Sequence, residues 1–207
     1  TQTLFEVIVG RNERAGLHAT EHPTAPLNSF YTKQLCEQKE NGADKKREMF
    51  ENAVAEWTLV LHVFFERQFV DSTRRLYDAK TNFVISSAVN SIVGYVFGIG
   101  ERHLQNILLD TQTGDVLHVD LGYAFGFASE LRIPEIVPFR LTLELIDVMG
   151  VLGVDGRFRQ TRLDVLEVLR THHNDIESLL EMSLVSGFLL LKGARGRAPG
   201  TKRPKPP

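Results

Sequence analysis

The chain has 207 residues, 43% hydrophobic and 24% charged, with a formal charge of −2, an ordinary globular composition with material for one domain, or about one and a half, and a sizeable core. So near-neutral a balance argues against global attraction to nucleic acid or membrane surfaces. A single cysteine, Cys36, excludes an intramolecular disulfide and fits a reducing compartment; no apolar run approaches the roughly 20 residues of a membrane span.

The N-terminus shows no charged stretch followed by an apolar core, so no secretory signal is visible. It begins at Thr1 rather than Met, as a piece of a longer polypeptide would. Leu4 to Val9 is an apolar run suited to a short strand or a helix edge. Arg11 to Asn28, broken by Gly16, Pro23 and Pro26, is loop material. Leu35 to Lys46 is polar, and its charge cluster is a solvated face. From Met49 the period becomes helical: Phe50, Ala53, Trp57, Val60, Leu61 and Phe64 recur at three and four, which predicts one buried stripe. A second helix is predicted over Thr81–Phe97, with Val84, Ala88, Ile92 and Val96 on its apolar face. Gly98 and Gly100 end it.

The most informative stretch follows. Ile107-Leu108-Leu109 and Val116-Leu117-His118-Val119 flank the turn formers Asp110 to Asp115, which predicts a β-hairpin. A hairpin reverses direction and brings the residue before its first strand beside the residue after its second, here Asn106 and Asp120. An amide oxygen and a carboxylate at one end of a hairpin suit a hard cation such as Mg²⁺, which takes oxygen ligands and keeps positions open for phosphates. Glu101 lies five residues before Asn106, and Asp120 opens an Asp-Leu-Gly triplet. Protein-kinase catalytic loops place their base and metal-binding Asn at this same separation, followed by a metal-binding Asp.

Gly122 to Val137 is irregular and occupies the place of an activation loop. Thr142 can cap a helix running to Met149, and Thr161 another that carries Leu163, Leu166, Leu169, Ile176 and Leu180. Residues 183–207 differ in kind: after a short apolar run, Lys192, Arg195, Arg197, Lys202, Arg203 and Lys205 stand among Gly and Pro with no acid. That composition predicts disorder. The tail reads either as a basic import or nucleic-acid-binding segment or as a divergent chain end. The remaining histidines show no metal spacing, so no zinc site is expected.

Gly98-Ile99-Gly100-Glu101-Arg102-His103-Leu104-Gln105-Asn106 resembles the G-x-G-D-R-H-x-x-N loop of the phosphatidylinositol-3-kinase-related protein kinases. His118 to Gly122 resembles their H-I-D-L/F-G, and Val137-Pro138-Phe139-Arg140-Leu141-Thr142 their V-P-F-R-L-T. Ser91 to Tyr95, and Met149 to Arg159, narrow the likeness to the ATM-type branch. The match is dense from about Val84 to Arg159 and looser before it.

The resemblance implies a mainly α fold with a small β-hairpin, the C-terminal lobe of a PI3K/PI4K-type kinase without its N-terminal lobe. It assigns residues 1–182 to a partial catalytic domain, with catalytic loop 98–106, metal-binding triplet 120–122 and activation segment 122–142. The implied catalytic residues are Glu101 and His103, the metal ligands Asn106 and Asp120, and the nucleotide contacts Leu108 and Val119, the last two equally natural as core. Arg102 fits a structural ion-pair partner better than a catalytic group. The implied cofactors are ATP and Mg²⁺ or Mn²⁺. The implied partners are protein substrates and DNA-damage sensor complexes, in the nucleus, with neither a direct nucleic-acid site nor a membrane. The implied reaction is transfer of the γ-phosphate to Ser or Thr, typically before Gln. Lipid-phosphorylating relatives carry a basic cluster in the activation segment, whereas Gly122 to Val137 holds one basic residue, Arg132, which favours a protein substrate.

Two departures weigh against activity of this chain alone. Glu101 stands where the family has Asp; acidity barely changes, about 4.3 against 3.9, but one more methylene adds about 1.5 Å of reach. No Gly-rich phosphate loop or strand lysine precedes the hairpin. A pseudokinase-like scaffold therefore stands as the alternative, and a phosphoinositide kinase as a less favoured one.

Overall fold

The computed structural model describes residues 1–8, 47–48, 51, 59–130 and 137–183. It is mainly helical with one small antiparallel sheet, as the sequence predicts. The elements are β1 (Gln2–Thr3), α1 (Leu61–Gln68), α2 (Thr73–Val96), β2 (Ile107–Leu109), β3 (Val116–His118), α3 (Leu143–Val148) and α4 (Arg157–Thr171), joined in part by short 3₁₀ turns. Contacts divide the chain into Thr1–Leu163 and Asp164–Pro207.

The first unit begins with a reciprocal cap. Thr3 Oγ1 accepts from Glu6 N (3.1 Å) and Glu6 Oε2 accepts from Thr3 N (3.0 Å), so a T-x-x-E capping box closes helical residues 4–8. Thr3 also ends β1, and the described part of the apolar run, residues 4–8, is helical. Leu4, Val7 and Ile8 are buried. They join Phe65, Phe69, Phe83, Ala88, Ile107, Leu109, Val148 and Phe158 in one core cluster. Phe65 meets the Phe83 ring edge-on at 5.3 Å between centroids. Of the expected aromatic stripe, Val60 and Leu61 are buried and Phe64 packs on the core; Phe50, Ala53 and Trp57 lie outside the described residues.

α1 takes its N-terminal acceptor from far away in the chain. The backbone N–H groups of Val60 and Leu61 donate to Glu144 Oε2 (3.0 and 2.9 Å). Glu144 is 3% exposed, so α3 contributes the anion that satisfies and charge-matches the positive end of α1. His62 Nδ1 against Asp147 Oδ2 adds a second link between the two helices.

α2 starts eight residues before the predicted Thr81, because Ser72 caps it by accepting from Arg75 N. Its apolar face is as expected at Val84, Ala88 and Ile92, whereas Val96 is 48% exposed. Beside that face runs a polar stripe at i, i+4 and i+8. Asn82 Nδ2 donates to Thr113 O (3.0 Å). Ser86 Oγ accepts from Val116 N (2.8 Å) and Asn90 Nδ2 donates to Val116 O (2.9 Å). β3 is the sheet edge, in the order β1-β2-β3, and α2 side chains take the bonds that a further strand would otherwise supply. The backbones also approach closely here: a Cβ at Gly114 (φ +82°) would lie 2.4 Å from Ala79 O.

α4 opens at Arg157, with Gly156 O accepting from Gln160 N (3.2 Å); Thr161 therefore sits inside the helix rather than capping it. Arg162 lies over the rings of Phe139 (5.3 Å) and Phe158 (5.5 Å), which ties the V-P-F-R-L-T stretch to the core. In the second unit, residues 173–183 are helical. His172 Nδ1 faces Asp175 (3.3 Å) and His173 donates to Arg170 O (2.9 Å). The basic tail lies outside the described residues.

Candidate active site

α2 ends in a Schellman turn. Ile99 N donates to Gly94 O (2.8 Å) and Gly98 N to Tyr95 O (3.3 Å), with Gly98 left-handed at φ +58°. The loop that follows pairs with the segment after the Asp-Leu-Gly triplet. Phe125 N donates to Phe97 O (2.7 Å), Gly126 N to Gly98 O (3.1 Å) and Gly100 N to Tyr123 O (2.7 Å). A Cβ at Gly98 would lie 2.6 Å from Gly126 N, so only glycine fits between the two stretches.

Within this frame Glu101 is half-buried and left-handed at φ +59°. Arg102, next to it, is 4% exposed. Its Nε donates to Gly100 O (2.7 Å), Nη1 to Val119 O (2.7 Å) and Nη2 to Asp120 O. Arg102 thus links backbone carbonyls of both stretches. His103 is exposed and precedes the 3₁₀ turn Leu104–Asn106, whose closing bond runs from Asn106 N to His103 O (2.9 Å).

Asn106 is half-buried and its Nδ2 donates to Glu101 O (3.0 Å). That bond commits the amide nitrogen to the loop and leaves Oδ1 as the amide's acceptor. The hairpin register pairs Ile107 with His118, and Val119 N donates to Asn106 O (3.0 Å). Val119, not Asp120, is thus directly opposite Asn106. Asp120 stands one residue further on, exposed and left-handed at φ +54°. Among the described residues its Oδ1 receives a long approach from Gly122 N (3.4 Å). The strand reversal does bring the two stretches together, offset by one residue from the expected pairing.

Leu108 is half-buried between Ile107 and Leu109, both of which enter the core. Alternation turns Leu108 to the other face, where its cross-strand neighbour Leu117 is exposed. Leu108 thus shares a sheet face with Leu117 and lies outside the buried core cluster. Val119 is half-buried. His118, one residue earlier, is pushed down to about pKa 4 by burial and by the Arg102 charge, so its imidazole is neutral near pH 7. Asp110, in the hairpin turn, is held below its ordinary value by the N–H groups of Gln112 and Thr113.

The donor set fits a hard divalent cation. Asn106 offers an oxygen with its nitrogen already committed, and Asp120 offers an exposed carboxylate. Mg²⁺ is typically held by one or two carboxylates and completes its shell with water and substrate phosphate.

Three polar features escape the hydrophobic-periodicity reading: the Asn82/Ser86/Asn90 stripe, Glu144 and the carbonyl-directed fork of Arg102. The first had a signal in its spacing of four. The second did not, because Glu144 caps a helix 83 residues away from it.

Residues 2–193 match the family model described as phosphatidylinositol 3- and 4-kinase. The chain is 36% identical over 165 residues to the serine/threonine-protein kinase tel1 of Schizosaccharomyces pombe, covering 80% of this chain and 6% of that protein. It is 37% identical over 182 residues to the serine/threonine-protein kinase ATM of Arabidopsis thaliana, covering 88% and 5% respectively. Among solved structures it superposes on the FAT and kinase domain of CtTel1 with a TM-score of 0.74 and 31% identity, over 87% of this chain and 12% of that one. The chain thus spans a small part of each relative it matches. It belongs to the phosphatidylinositol 3- and 4-kinase family, within the phosphatidylinositol-3-kinase-related branch that holds the Tel1 and ATM kinases.

Proposed function

We propose that the chain is the catalytic-loop portion of a Tel1/ATM-type serine/threonine protein kinase, which transfers the γ-phosphate of ATP to Ser or Thr, typically before Gln, in protein substrates. What supports this reading is that the loop carrying Glu101, His103 and Asn106 and the turn carrying Asp120, in that order along the chain, are bridged at one end of the hairpin by Arg102. In this reading Glu101 accepts the proton of the substrate hydroxyl as its oxygen attacks the γ-phosphorus. The exposed His103 contacts the transferred phosphate, and Leu108 and Val119 contact the nucleotide. Asn106 Oδ1 and the Asp120 carboxylate would hold Mg²⁺ or Mn²⁺, which when bound neutralises phosphate charge. Partners in DNA-damage signalling and a nuclear setting belong to the same reading, which the likeness to the Tel1 and ATM kinases supports.

Glu101 favours a second reading, a scaffold that keeps the fold without turnover. Phosphoryl transfer depends on positioning, and a misplacement of about 1 Å costs roughly a hundredfold. The test is a hybrid in which this chain replaces the matching segment of S. pombe tel1, assayed on a Ser-Gln peptide. Incorporation that Asp120→Asn abolishes and Glu101→Asp raises supports the kinase reading. Activity indifferent to Asp120→Asn overturns it. Silence with both Glu101 and Glu101→Asp, beside an active recipient enzyme, establishes the scaffold.

A further inference from the structure

The two residues expected to carry the chemistry, Glu101 and Asp120, share an uncommon property. Both are left-handed without being glycine, a conformation that persists only where neighbours hold it. One side chain touches the backbone beside both. Arg102 follows Glu101 directly, and its guanidinium donates to the carbonyl that precedes Glu101 and to the carbonyls of Val119 and Asp120. Three carbonyl dipoles from two stretches of chain converge on one buried cation. A planar fork spans such an arrangement; a lysine ammonium, a single point on a flexible stem, does not. On the other side, Asn106 Nδ2 donates to Glu101 O and Asn106 O accepts from Val119 N. The bonds form a closed circuit through Gly100, Arg102, Val119, Asn106 and Glu101.

We propose that Arg102 is a positioning residue for the phosphoryl-transfer site. Its guanidinium fixes the separation of the Glu101 loop and the Asp120 turn and holds Asp120 in the conformation that presents its carboxylate. The role rests on the metal-binding reading of Asp120, and it differs from general structural support in being specific to the fork shape. Partners that orient metal ligands change metal affinity by about 10–100-fold when lost, and that range is the expectation here.

The probe is Mn²⁺ alone, titrated into the 207-residue chain and followed by its electron paramagnetic resonance signal, with helix content recorded in the same samples. The chain binds Mn²⁺, Asp120→Asn removes the binding, and Arg102→Lys weakens it about 10–100-fold with helix content unchanged. If Arg102→Lys binds as the unaltered chain does, the positioning role is overturned and the metal site stands. If Asp120→Asn binds as the unaltered chain does, the metal reading itself falls. Should Arg102→Lys lose its helix content, Arg102→Ala with added guanidinium ion decides the matter. Mn²⁺ binding regained with guanidinium but not with ammonium supports the fork, and recovery with neither overturns it.

Discussion

Gly98 and Gly94 are four residues apart at the end of α2, and replacement by alanine should move stability in opposite directions. At Gly98 the new Cβ meets two costs. Holding a non-glycine residue at φ +58° costs about 1–2 kcal/mol. The methyl would also sit 2.6 Å from Gly126 N and 3.2 Å from the Phe125 carbonyl carbon, so the segment after the Asp-Leu-Gly triplet must move away. That movement breaks the bonds from Phe125 N to Phe97 O and from Gly126 N to Gly98 O, each worth about 1 kcal/mol net. The sum is about 3–4 kcal/mol of lost stability. At Gly94, inside the helix, a Cβ meets nothing within 4 Å, and alanine should gain about 0.8–1 kcal/mol from helix propensity. Urea unfolding followed by circular dichroism, with a slope of about 2 kcal/mol per molar, should place the Gly98→Ala midpoint about 1.5–2 M below the unaltered chain and Gly94→Ala about 0.4–0.5 M above it. A Gly98→Ala chain within 1 kcal/mol of the original would show that loop and segment are not held in register by this contact. A Gly94→Ala chain destabilised as much as Gly98→Ala would show that the α2 terminus tolerates no added volume at all.

Glu144→Ala removes the acceptor for the buried N–H groups of Val60 and Leu61 and should cost about 2–3 kcal/mol in urea unfolding; a loss under 1 kcal/mol would mean that water replaces the cap. His118 is neutral in the fold down to about pH 4 but titrates near 6.5 when unfolded, so the unfolded chain binds more protons between those values. Stability should therefore rise as pH rises from 4 to 6.5, measured with chelator present, by at most about 3 kcal/mol before solvent screening reduces it; His118→Gln should flatten that slope. Glu101→Gly relieves a left-handed glutamate and should stabilise the chain by about 0.5–1 kcal/mol, strain relief being offset in part by the freer unfolded glycine; a destabilised variant would show that the Glu101 side chain contributes more than its backbone costs.

The hairpin was legible because its signals are local: two apolar triplets, a turn rich in Asp, Thr and Gly, and glycines at a helix end. Position along the chain also identified Asn106 and Asp120 as neighbours, but not which residue is opposite which. That depends on where the first cross-strand bond forms, and the Val119 N to Asn106 O bond shifts the pairing by one. Periodicity found the buried face of α2 at Val84, Ala88 and Ile92 and missed the adjacent stripe of Asn82, Ser86 and Asn90, since a scale that counts apolar residues scores such positions as solvent. Asn82 bonds the hairpin turn and Ser86 and Asn90 the backbone of an edge strand, whose need for bonds becomes visible only once the strand order is known. Glu144 is the extreme case, a charged residue in a plausible solvent position that the fold places under the first turn of a distant helix.

Glu101 brings the local and the distant together. The sequence identifies the added methylene as the departure from the family's Asp; the backbone adds that the residue is left-handed. Asp tolerates that region better than Glu because its short side chain bonds nearby backbone. Glu101→Asp therefore changes reach and backbone ease together, whereas Glu101→Gly changes backbone ease and removes the carboxylate. If strain alone limited the loop, both variants would be stabilised and turnover in the hybrid kinase would track carboxylate presence only, with Glu and Asp forms nearly equal. If reach limits it, the Asp form should exceed the Glu form by roughly a hundredfold at a stability gain no larger than that of the glycine variant. The Arg102 fork bears on the same choice. A backbone held at Gly100 on one side and through Asn106 on the other has little freedom to withdraw and accommodate a longer side chain, which makes reach the term expected to dominate.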